Sequence, residues 1–278
     1  MAQLTYDISV IIPFHNKSRL TADCLKSLSK FGPKFNEILL ISNNSDISEI
    51  EKVEETIKKL NISCKLLEYN QAFNYQKICN WGVKQAISSY ILFLNNDTVL
   101  TKQSIGLIER MYKKAQENNV GMVGCVLLYG DRSTIQHAGV FLRPGGLGDH
   151  IYVGKSYKAA LKRDNFKEFP YDIITDRKVT AVTGAAQIIS KTNFEKVKGF
   201  NEKFIVCGGD VDICIRLNKV GLQTWLIGEG YILHKESQSR PNLTVPYNDF
   251  YNSYFSYMSA FDLKCGDPFS SKITGKMK

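Results

Sequence analysis

Short apolar runs alternate with longer amphipathic segments along the first hundred residues. The apolar runs are rich in β-branched residues and predict buried strands at 8–13, 37–42, 63–69 and 90–94. The segments between them repeat an apolar residue every three or four positions, which predicts helices at 18–31, 48–60 and 75–87. Strands that are separated by helices form parallel sheets with helices on both faces. The pattern therefore predicts an α/β fold.

Local signals in the same pattern refine some boundaries. Ser48 with Glu51 has the spacing of a capping box, and so does the start of the segment "TNFEKV" at 192–197. The run at 180–189 is typical of a strand, and Gly184 interrupts it, as a glycine does where a ligand approaches the backbone closely. Residues 143–178 contain "RPGGLGDH" at their start and read as a charged loop. We expect this loop to shape one wall of a cleft.

Polar clusters follow three of the predicted strands. They are "PFHN" at 13–16, "SNNSD" at 42–46 and "NND" at 95–97. Any one of them is explained by ordinary turn chemistry, because Asn, Asp and Ser favour turns. Three clusters at the carboxyl edge of one sheet indicate a polar ligand, because ligands of open α/β sheets bind at that edge.

Composition and charge exclude several classes. The 278 residues are 44% hydrophobic, no apolar run approaches the length of a membrane span, and we see no secretory signal. The seven cysteines form no CxxC pair, which favours free thiols in a reducing compartment. The first strand is followed by no GxGxxG, and the chain has no GxxxxGK[ST]. A net charge of +9 indicates an anionic partner, but no nucleic-acid-binding motif accompanies it.

The C-terminal segment 247–269 is aromatic. The residues at helical spacing are Phe250, Tyr254, Tyr257, Met258 and Phe261. This stripe predicts a helix that packs on the core or on a second copy of the chain. The alternative is a surface that faces a membrane, assisted by Lys264, Lys272, Lys276 and Lys278.

Seven motifs together resemble one enzyme family. In chain order they are "VIIPFHN", "EILLISNNS", "FNYQKICNWGV", "YILFLNND", "VTGA", "FIVCGGDVDICIRL" and "LHKESQSR". The series resembles family 2 glycosyltransferases over roughly residues 8–240, and is similar to the bacterial branch that builds surface polysaccharides, including rhamnosyltransferase-like members. The resemblance implies the type A glycosyltransferase fold, with a Rossmann-like, mostly parallel sheet flanked by helices. It also implies a domain at 1–240, with a nucleotide-binding half at 1–100 and an acceptor half at 101–240. Residues 241–278 would form a helical extension packed on that domain.

The resemblance implies a site for a nucleotide-diphosphate sugar and a divalent cation, Mg²⁺ or Mn²⁺. Asp97 stands at the position of the metal-binding acid, and His234 resembles a histidine that completes the metal shell. Asn95 and Asn96 replace acids that are found in many relatives. The implied donor-binding residues are Pro13, His15, Asn16, Asn43, Lys77, Asn80, Asn95, Asn96 and Gly184. For Asn16 the alternative is a helix cap.

Asp210 resembles the proposed base of the family, which removes the proton of the acceptor hydroxyl in a single inverting displacement. The alternative is that an acid in the first turn of a helix stabilises the helix dipole. Gly209 replaces a glutamate that often contacts the acceptor in relatives. Asp212 and Arg216 are four residues apart, and we expect them to pair along the helix.

These observations predict a cytoplasmic inverting glycosyltransferase that extends a cell-surface or lipid-linked glycan, such as O-antigen or capsule, with a UDP- or dTDP-sugar as donor. Peripheral contact with the inner face of a membrane and homo-oligomer formation are further expectations. One alternative is a catalytically impaired sugar-nucleotide-binding module of a larger synthase. Others are a nucleotidyltransferase, which should carry a glycine-rich loop after its first strand, and a nucleic-acid-binding protein. Whether the chain is a whole protein or one module stays open.

Overall fold

Strands and helices alternate through the first hundred residues, as the apolar pattern predicts. A computed structural model of the chain describes residues 4–143, 147–162, 172–235, 245–260 and 267. Its strands are β1 Thr5–Phe14, β2 Lys34–Ser42, β3 Cys64–Glu68, β4 Tyr90–Leu94, β5 Thr98–Val99, β6 Val120–Tyr129, β7 Ile135–His137, β8 Val140–Arg143, β9 Leu147–His150, β10 Arg177–Val179, β11 Ala186–Ser190 and β12 Gln223–His234. Its α-helices are α1 Ser18–Phe31, α2 Ile47–Leu60, α3 Tyr75–Gln85, α4 Leu107–Ala115, α5 Tyr157–Leu161, α6 Lys191–Lys196, α7 Gly209–Lys219 and α8 Tyr247–Met258.

One mixed sheet carries both halves of the chain, in the order β10-β12-β6-β11-β4-β1-β2-β3, with β5 beside β12 and β7 beside β6. The β4-β1-β2-β3 half is parallel: Val10 lies between Ile38 and Leu92 on the neighbouring strands. The carboxyl ends of β1, β2 and β4 therefore meet at one edge, where the three polar clusters follow. The predicted α/β fold is confirmed.

The central strands are buried on both faces, which explains why their sequences are apolar without interruption. In β1 and β4, Ile11 and Phe93 belong to the core on one side of the sheet. Val10 and Leu92 belong to the core on the other side. Successive side chains of a strand point to opposite faces, so two helical layers bury alternate residues of the same strand.

The second half of the sheet departs from the prediction of one strand at 180–189. The strand β11 begins only at Ala186, and Gly184 lies in the turn before it. β11 runs antiparallel to both β4 and β6, whereas β12 runs parallel to β6. The turn at Gly184 thus lies beside the carboxyl end of β4, which places it at the same edge as the polar clusters.

Both predicted capping boxes are wrong. The helix α2 begins at Ile47 after the N-cap Asp46, so Ser48 lies inside its first turn. Asp46 is held by Asn16, whose Oδ1 accepts from its N–H at 2.8 Å. The helix α6 begins at Lys191, and the hydroxyl of Ser190 accepts from the N–H of Asn193 at 3.1 Å. In each case the N-cap is a residue earlier in the chain, and of the two only Ser190 makes a side-chain capping bond.

The segment 143–178 is more ordered than the loop we predicted. β8 and β9 form a two-stranded antiparallel sheet. The guanidinium of Arg143 forms an ion pair with the carboxylate of Asp149 across it. The short helix α5 contains Lys158, Lys155 lies just before it, and β10 adds an edge strand to the main sheet. Residues 144–146 and 163–171 lie outside the described part of the chain. The predicted loop at "RPGGLGDH" is therefore tested only at residue 143 and at residues 147–150.

The predicted C-terminal helix is observed as α8, but of the predicted aromatic stripe only Tyr257 belongs to its buried face. Its buried residues are Asp249, Ser253 and Tyr257, while Phe250 and Tyr254 are about half exposed, at 49% and 45%. The buried face is polar because it binds the backbone of the loop before α7, as described below. Phe261, Lys264, Lys272, Lys276 and Lys278 lie outside the described residues. Within the described residues, no helix has the length and apolar character that crossing a bilayer requires.

Six cysteines are described, and all six have free thiols. Cys24, Cys79, Cys125 and Cys214 are buried. Burial raises the pKa of three of these thiols, Cys24, Cys125 and Cys214, to about 12. These thiols are therefore protonated and unreactive at neutral pH.

Candidate active site

A cleft of about 660 Å³ opens at the carboxyl edge of β1, β2 and β4. Its volume is in the range of small-molecule sites. The predicted site residues that line it are Pro13, His15, Asn43, Asn95, Asn96, Asp97, Gly184, Asp210 and His234. Asn16, Lys77 and Asn80 are not among the lining residues. The fold therefore brings residues from distant parts of the sequence, between 13 and 234, to one cavity.

Asn43 lies at one end of the cleft and is fixed by its own amide. Its Nδ2 donates to the carbonyls of Tyr69 and Gln71 at 2.8 and 2.9 Å. Both amide hydrogens are engaged by these bonds, so the group that Asn43 can offer a ligand is the acceptor Oδ1. The Nδ1 of His15 lies 2.8 Å from the carbonyl oxygen of Asn43, which ties the first two polar clusters together.

Asn16 connects the same two loops from outside the cleft. Its Nδ2 donates to the carboxylate of Asp46 at 3.2 Å. The alternative that Asn16 caps α1 is wrong, because the N-cap is Lys17, which makes no side-chain capping bond. The backbone N–H of Ser18, the first residue of α1, donates instead to the carboxylate of Glu49 in α2 at 2.7 Å.

Lys77 and Asn80 lie on α3 but face away from the cleft. Lys77 is exposed. The Nδ2 of Asn80 donates to the carbonyl of Phe200 and to the carboxylate of Glu202, both at 3.0 Å, and its Oδ1 accepts from the N–H of Phe200. Asn80 thus anchors the loop that follows α6.

The polar end of β4 is a hydrogen-bonded turn at the centre of the cleft. The Oδ1 of Asn95 accepts from the phenol of Tyr75 at 3.0 Å, and its Nδ2 lies 3.3 Å from the Nε2 of His234. The Nδ2 of Asn96 donates to Thr21 at 3.1 Å, which leaves its Oδ1 as the group that a ligand could reach. The two amides therefore fix the turn and orient the carboxylate of Asp97.

Asp97 and His234 are brought together by strand register. β5 pairs with the end of β12 so that Thr98, next to Asp97, is opposite His234. The Oδ1 of Asp97 lies 3.0 Å from the Nε2 of His234, and both side chains are mostly buried. On its other side, the Nδ1 of His234 lies 2.7 Å from the Oε1 of Gln136. Because that oxygen can only accept, the ring hydrogen of a neutral imidazole belongs on Nδ1.

This geometry fits a divalent cation. With the hydrogen on Nδ1, the Nε2 of His234 offers a lone pair, which faces a carboxylate oxygen of Asp97 at 3.0 Å and the amide of Asn95 at 3.3 Å. A cation between or beside them would satisfy both groups. Gln136 is the type of outer partner that holds a metal-binding histidine in the required tautomer. The described residues contain no group of three or more His, Cys, Asp or Glu that could hold a metal, so the protein offers two ligands here.

Asp210 lines the same cleft from the first turn of α7. Its Oδ2 accepts from the N–H of Gly184 at 2.8 Å, and its Oδ1 accepts from the N–H of Val211 at 2.9 Å. These bonds fix both oxygens and still leave lone pairs to accept a further proton. The carboxylate is thus held in place and directed at the cavity.

Tyr75 joins the two sides of the cleft. Its hydroxyl contacts the Oδ1 of Asn95 at 3.0 Å and the carbonyl of Gly184 at 3.3 Å. Burial raises the pKa of this phenol well above its ordinary value, and the charges of Asp210 and Asp97 act in the same direction. Tyr75 is therefore a neutral hydrogen-bond donor. It contacts Asn95, which lies beside His234, and Gly184, whose N–H binds Asp210.

The loop before α7 is held by α8. The carboxylate of Asp249 is fully buried and accepts the N–H groups of Ile205, Val206 and Cys207 at 2.6, 2.8 and 2.8 Å. The phenol of Tyr257 donates to the carbonyl of Gly208 at 2.6 Å. Gly208 has a φ of 88°, and a Cβ there would lie 2.6 Å from that phenol oxygen. α8 therefore determines the path of the chain into Asp210.

We expect Asp249→Asn to destabilise the protein by about 3 kcal/mol, because a neutral amide replaces a charged acceptor and one buried N–H loses its partner. Chemical denaturation would measure this change. Asn252→Ala is the control, because Asn252 lies on the same helix but is partly exposed, and it makes one bond to the carbonyl of Lys203. It should cost less than about 1 kcal/mol. Equal effects of the two variants would contradict the special role of Asp249.

The sequence did not single out several residues of this site. Tyr75 lies inside a quoted motif, and its neighbours Lys77 and Asn80 drew attention instead. Gln136 and Asp249 have no local signal in the sequence. Gln136 contacts His234, which is 98 residues away, and Asp249 binds N–H groups that are 42 to 44 residues away. The pairing of Asp212 with Arg216 is confirmed at 2.7 Å.

The mixed sheet, its flanking helices and the cleft at its carboxyl edge form the type A glycosyltransferase fold. Comparison with known proteins gives the same class. The model of the family "Glycosyl transferase family 2" matches residues 9–197. The chain therefore belongs to glycosyl transferase family 2, and the resemblance of the seven motifs is confirmed.

Among curated proteins, the O-antigen biosynthesis protein RfbC of Myxococcus xanthus is 33% identical over 269 residues. That alignment covers 95% of this chain but only 20% of the relative, so the chain spans a fifth of that protein.

Two solved structures share the fold. GalNAc-T7, crystallised with UDP, GalNAc and Mn²⁺, has a TM-score of 0.67 and 16% identity, covering 93% of this chain and 49% of the other. TarS of S. aureus in complex with UDP-GlcNAc has a TM-score of 0.58 and 14% identity, covering 88% and 64%.

Proposed function

We propose that the chain transfers a sugar from a UDP- or dTDP-linked donor to a hydroxyl of a growing cell-surface or lipid-linked glycan, with inversion at the anomeric carbon. The observation that carries the proposal is the arrangement of one cleft. The pair Asp97–His234 and the carboxylate of Asp210 line the same cavity, and the hydroxyl of Tyr75 connects their neighbours Asn95 and Gly184. Family membership and the name of the Myxococcus relative support a role in polysaccharide synthesis.

The nucleotide end of the donor would lie near Asn43. Its Oδ1 can accept from the N3–H of uracil or thymine, because its amide hydrogens are bound elsewhere. His15 and Pro13 would pack near the base and ribose, and the Oδ1 of Asn96 could accept from a ribose hydroxyl. Lys77 and Asn80 face away from this position, so we leave them out of the proposed donor site.

Asp97 and His234 would hold a divalent cation together with the donor diphosphate. Hard cations in phosphate sites keep one or two carboxylates and complete their shell with phosphate oxygens and water, which fits a pair of protein ligands. When bound, the cation would neutralise charge on the leaving diphosphate. GalNAc-T7 was crystallised with Mn²⁺ and UDP, which supports this assignment.

Asp210 would act as general base. The acceptor hydroxyl attacks the anomeric carbon from the face opposite the diphosphate, and its proton passes to a carboxylate oxygen of Asp210. The bond from the anomeric carbon to the phosphate oxygen breaks, and the nucleoside diphosphate leaves with the electron pair. Gly184 and Val211 hold the carboxylate in one orientation during this step.

Thermal melting with UDP, dTDP, GDP and CDP, each with and without Mn²⁺, tests the donor site. A ligand that binds only the folded protein raises Tm by mass action. We expect a larger rise with UDP or dTDP than with GDP or CDP, and a further rise with Mn²⁺. If none of the four nucleotides raises Tm, the proposed donor site is wrong. Hydrolysis or transfer of a matching sugar nucleotide then separates an enzyme from a binding module without catalysis.

A further inference from the structure

The side chain of Gln76 lies at the floor of the cleft beside the proposed base. It is 2% exposed and lines the cavity. Its amide lies directly against the backbone of Gly209, the residue before Asp210. A Cβ at Gly209 would be 2.4 Å from Cδ of Gln76 and 2.6 Å from both its Oε1 and its Nε2. The amide thus fills the space in which a side chain at position 209 would begin.

The Oε1 of Gln76 is enclosed and has no hydrogen-bond partner in the part of the chain that the structure describes. Buried polar atoms are normally paired, because desolvation without a hydrogen bond costs free energy. Packing does not require an amide, since a methionine has a similar length and no such cost.

A ligand in the cleft explains why a polar group is kept here. The hydroxyl of Tyr75 is bound to Asn95 and Gly184, and the carboxylate of Asp210 accepts two backbone N–H groups and keeps lone pairs for a proton. The amide of Gln76 lines the same cavity next to Gly209, and its Oε1 has no partner among the described residues.

We propose that Gln76 hydrogen-bonds a sugar hydroxyl next to the reacting centre and determines which sugars react. This inference rests on the proposed function. The hydroxyl belongs either to the acceptor sugar, beside the hydroxyl that Asp210 deprotonates, or to the transferred sugar. A site that hydrogen-bonds a hydroxyl rejects an analogue without it strongly, because its own buried polar group is then left unpaired.

The test compares Gln76→Met with Gln187→Met. Gln187 is a matched control: it is fully buried, both polar atoms of its amide lack a partner among the described residues, and it does not line the cleft. For Gln76→Met we expect an unchanged or higher Tm, an unchanged rise in Tm with UDP, and a fall in kcat/KM for transfer of at least about tenfold. Gln187→Met should leave transfer unchanged.

Donor hydrolysis in the absence of acceptor distinguishes the two sources of the hydroxyl. If hydrolysis is unchanged in Gln76→Met while transfer falls, the hydroxyl belongs to the acceptor; if both fall, it belongs to the transferred sugar. Unchanged transfer overturns the inference, and so does a drop in Tm that accounts for the lost activity. If the wild-type protein binds no nucleotide, the proposed function itself fails, which is a different result from unchanged transfer in the variant.

Discussion

Asp210→Asn should lower kcat for sugar transfer by about 10²–10⁴-fold, the range that a positioned general base contributes. The asparagine has nearly the same shape, but its amide cannot take the acceptor proton. UDP binding should be unchanged, because Asp210 is not one of the groups proposed to hold the nucleotide or the cation. The measurement is steady-state transfer with a matching sugar nucleotide, together with the UDP-induced rise in Tm.

Asp212→Asn is the control for this variant. Asp212 lies two residues further along α7, and its carboxylate accepts from Arg216 at 2.7 Å and from Ser256 at 2.6 Å. Removing its charge should lower stability, because the guanidinium of Arg216 loses its partner. The rate per folded molecule should be unchanged. Full activity in Asp210→Asn would contradict the role of Asp210 as general base. It would favour the alternative that this acid only stabilises the helix dipole.

The parallel half of the sheet was predictable because each strand carries its own signal. A strand that is buried on both faces is apolar at every position, and β4 was predicted at the observed bounds Tyr90–Leu94. β11 was less predictable, because its start and its antiparallel direction depend on pairing with β4 and β6. The hairpin β8–β9 also depends on pairing, and its residues have no strong alternation of apolar and polar positions.

The starts of α1 and α3 were predicted correctly, but the two capping boxes failed for a related reason. A capping box is a local pattern, but the N-cap of α2 is held by Asn16, which is 30 residues earlier. The buried face of α8 was predicted only at Tyr257. An aromatic stripe suggests apolar packing, yet the helix buries Asp249 because three N–H groups of a distant loop need an acceptor.

The site was predictable where one residue type carries the chemistry. The family resemblance implied a metal ligand at Asp97 and a base at Asp210; both residues line the cleft, and their roles stay predictions. Residues that act through a neighbour were not predictable. Gln136 matters because its Oε1 lies 2.7 Å from the Nδ1 of His234, and only the pairing of β7 with β6 brings it there.

Asp97→Asn should remove the Mn²⁺-dependent part of the rise in Tm that UDP produces, while the rise with UDP alone is retained. One of two protein ligands is lost, and an amide is a weaker ligand for a hard cation than a carboxylate. In the absence of ligands, Tm should change little, because the new amide has nearly the same shape and can still contact the Nε2 of His234. Transfer should fall by about 10²–10³-fold, since charge neutralisation by a metal is worth several kcal/mol.

Asp23→Asn is the matched control for the metal pair. Asp23 lies near the same strand end, where its carboxylate accepts from Lys235 at 2.9 Å, but it does not line the cleft. Loss of this partly exposed ion pair should change stability by less than about 1 kcal/mol and should leave the effect of Mn²⁺ intact. A Mn²⁺ effect that persists in Asp97→Asn and in His234→Ala would show that the cation binds elsewhere. The contact between Asp97 and His234 would then be structural, and the proposed metal site would be wrong.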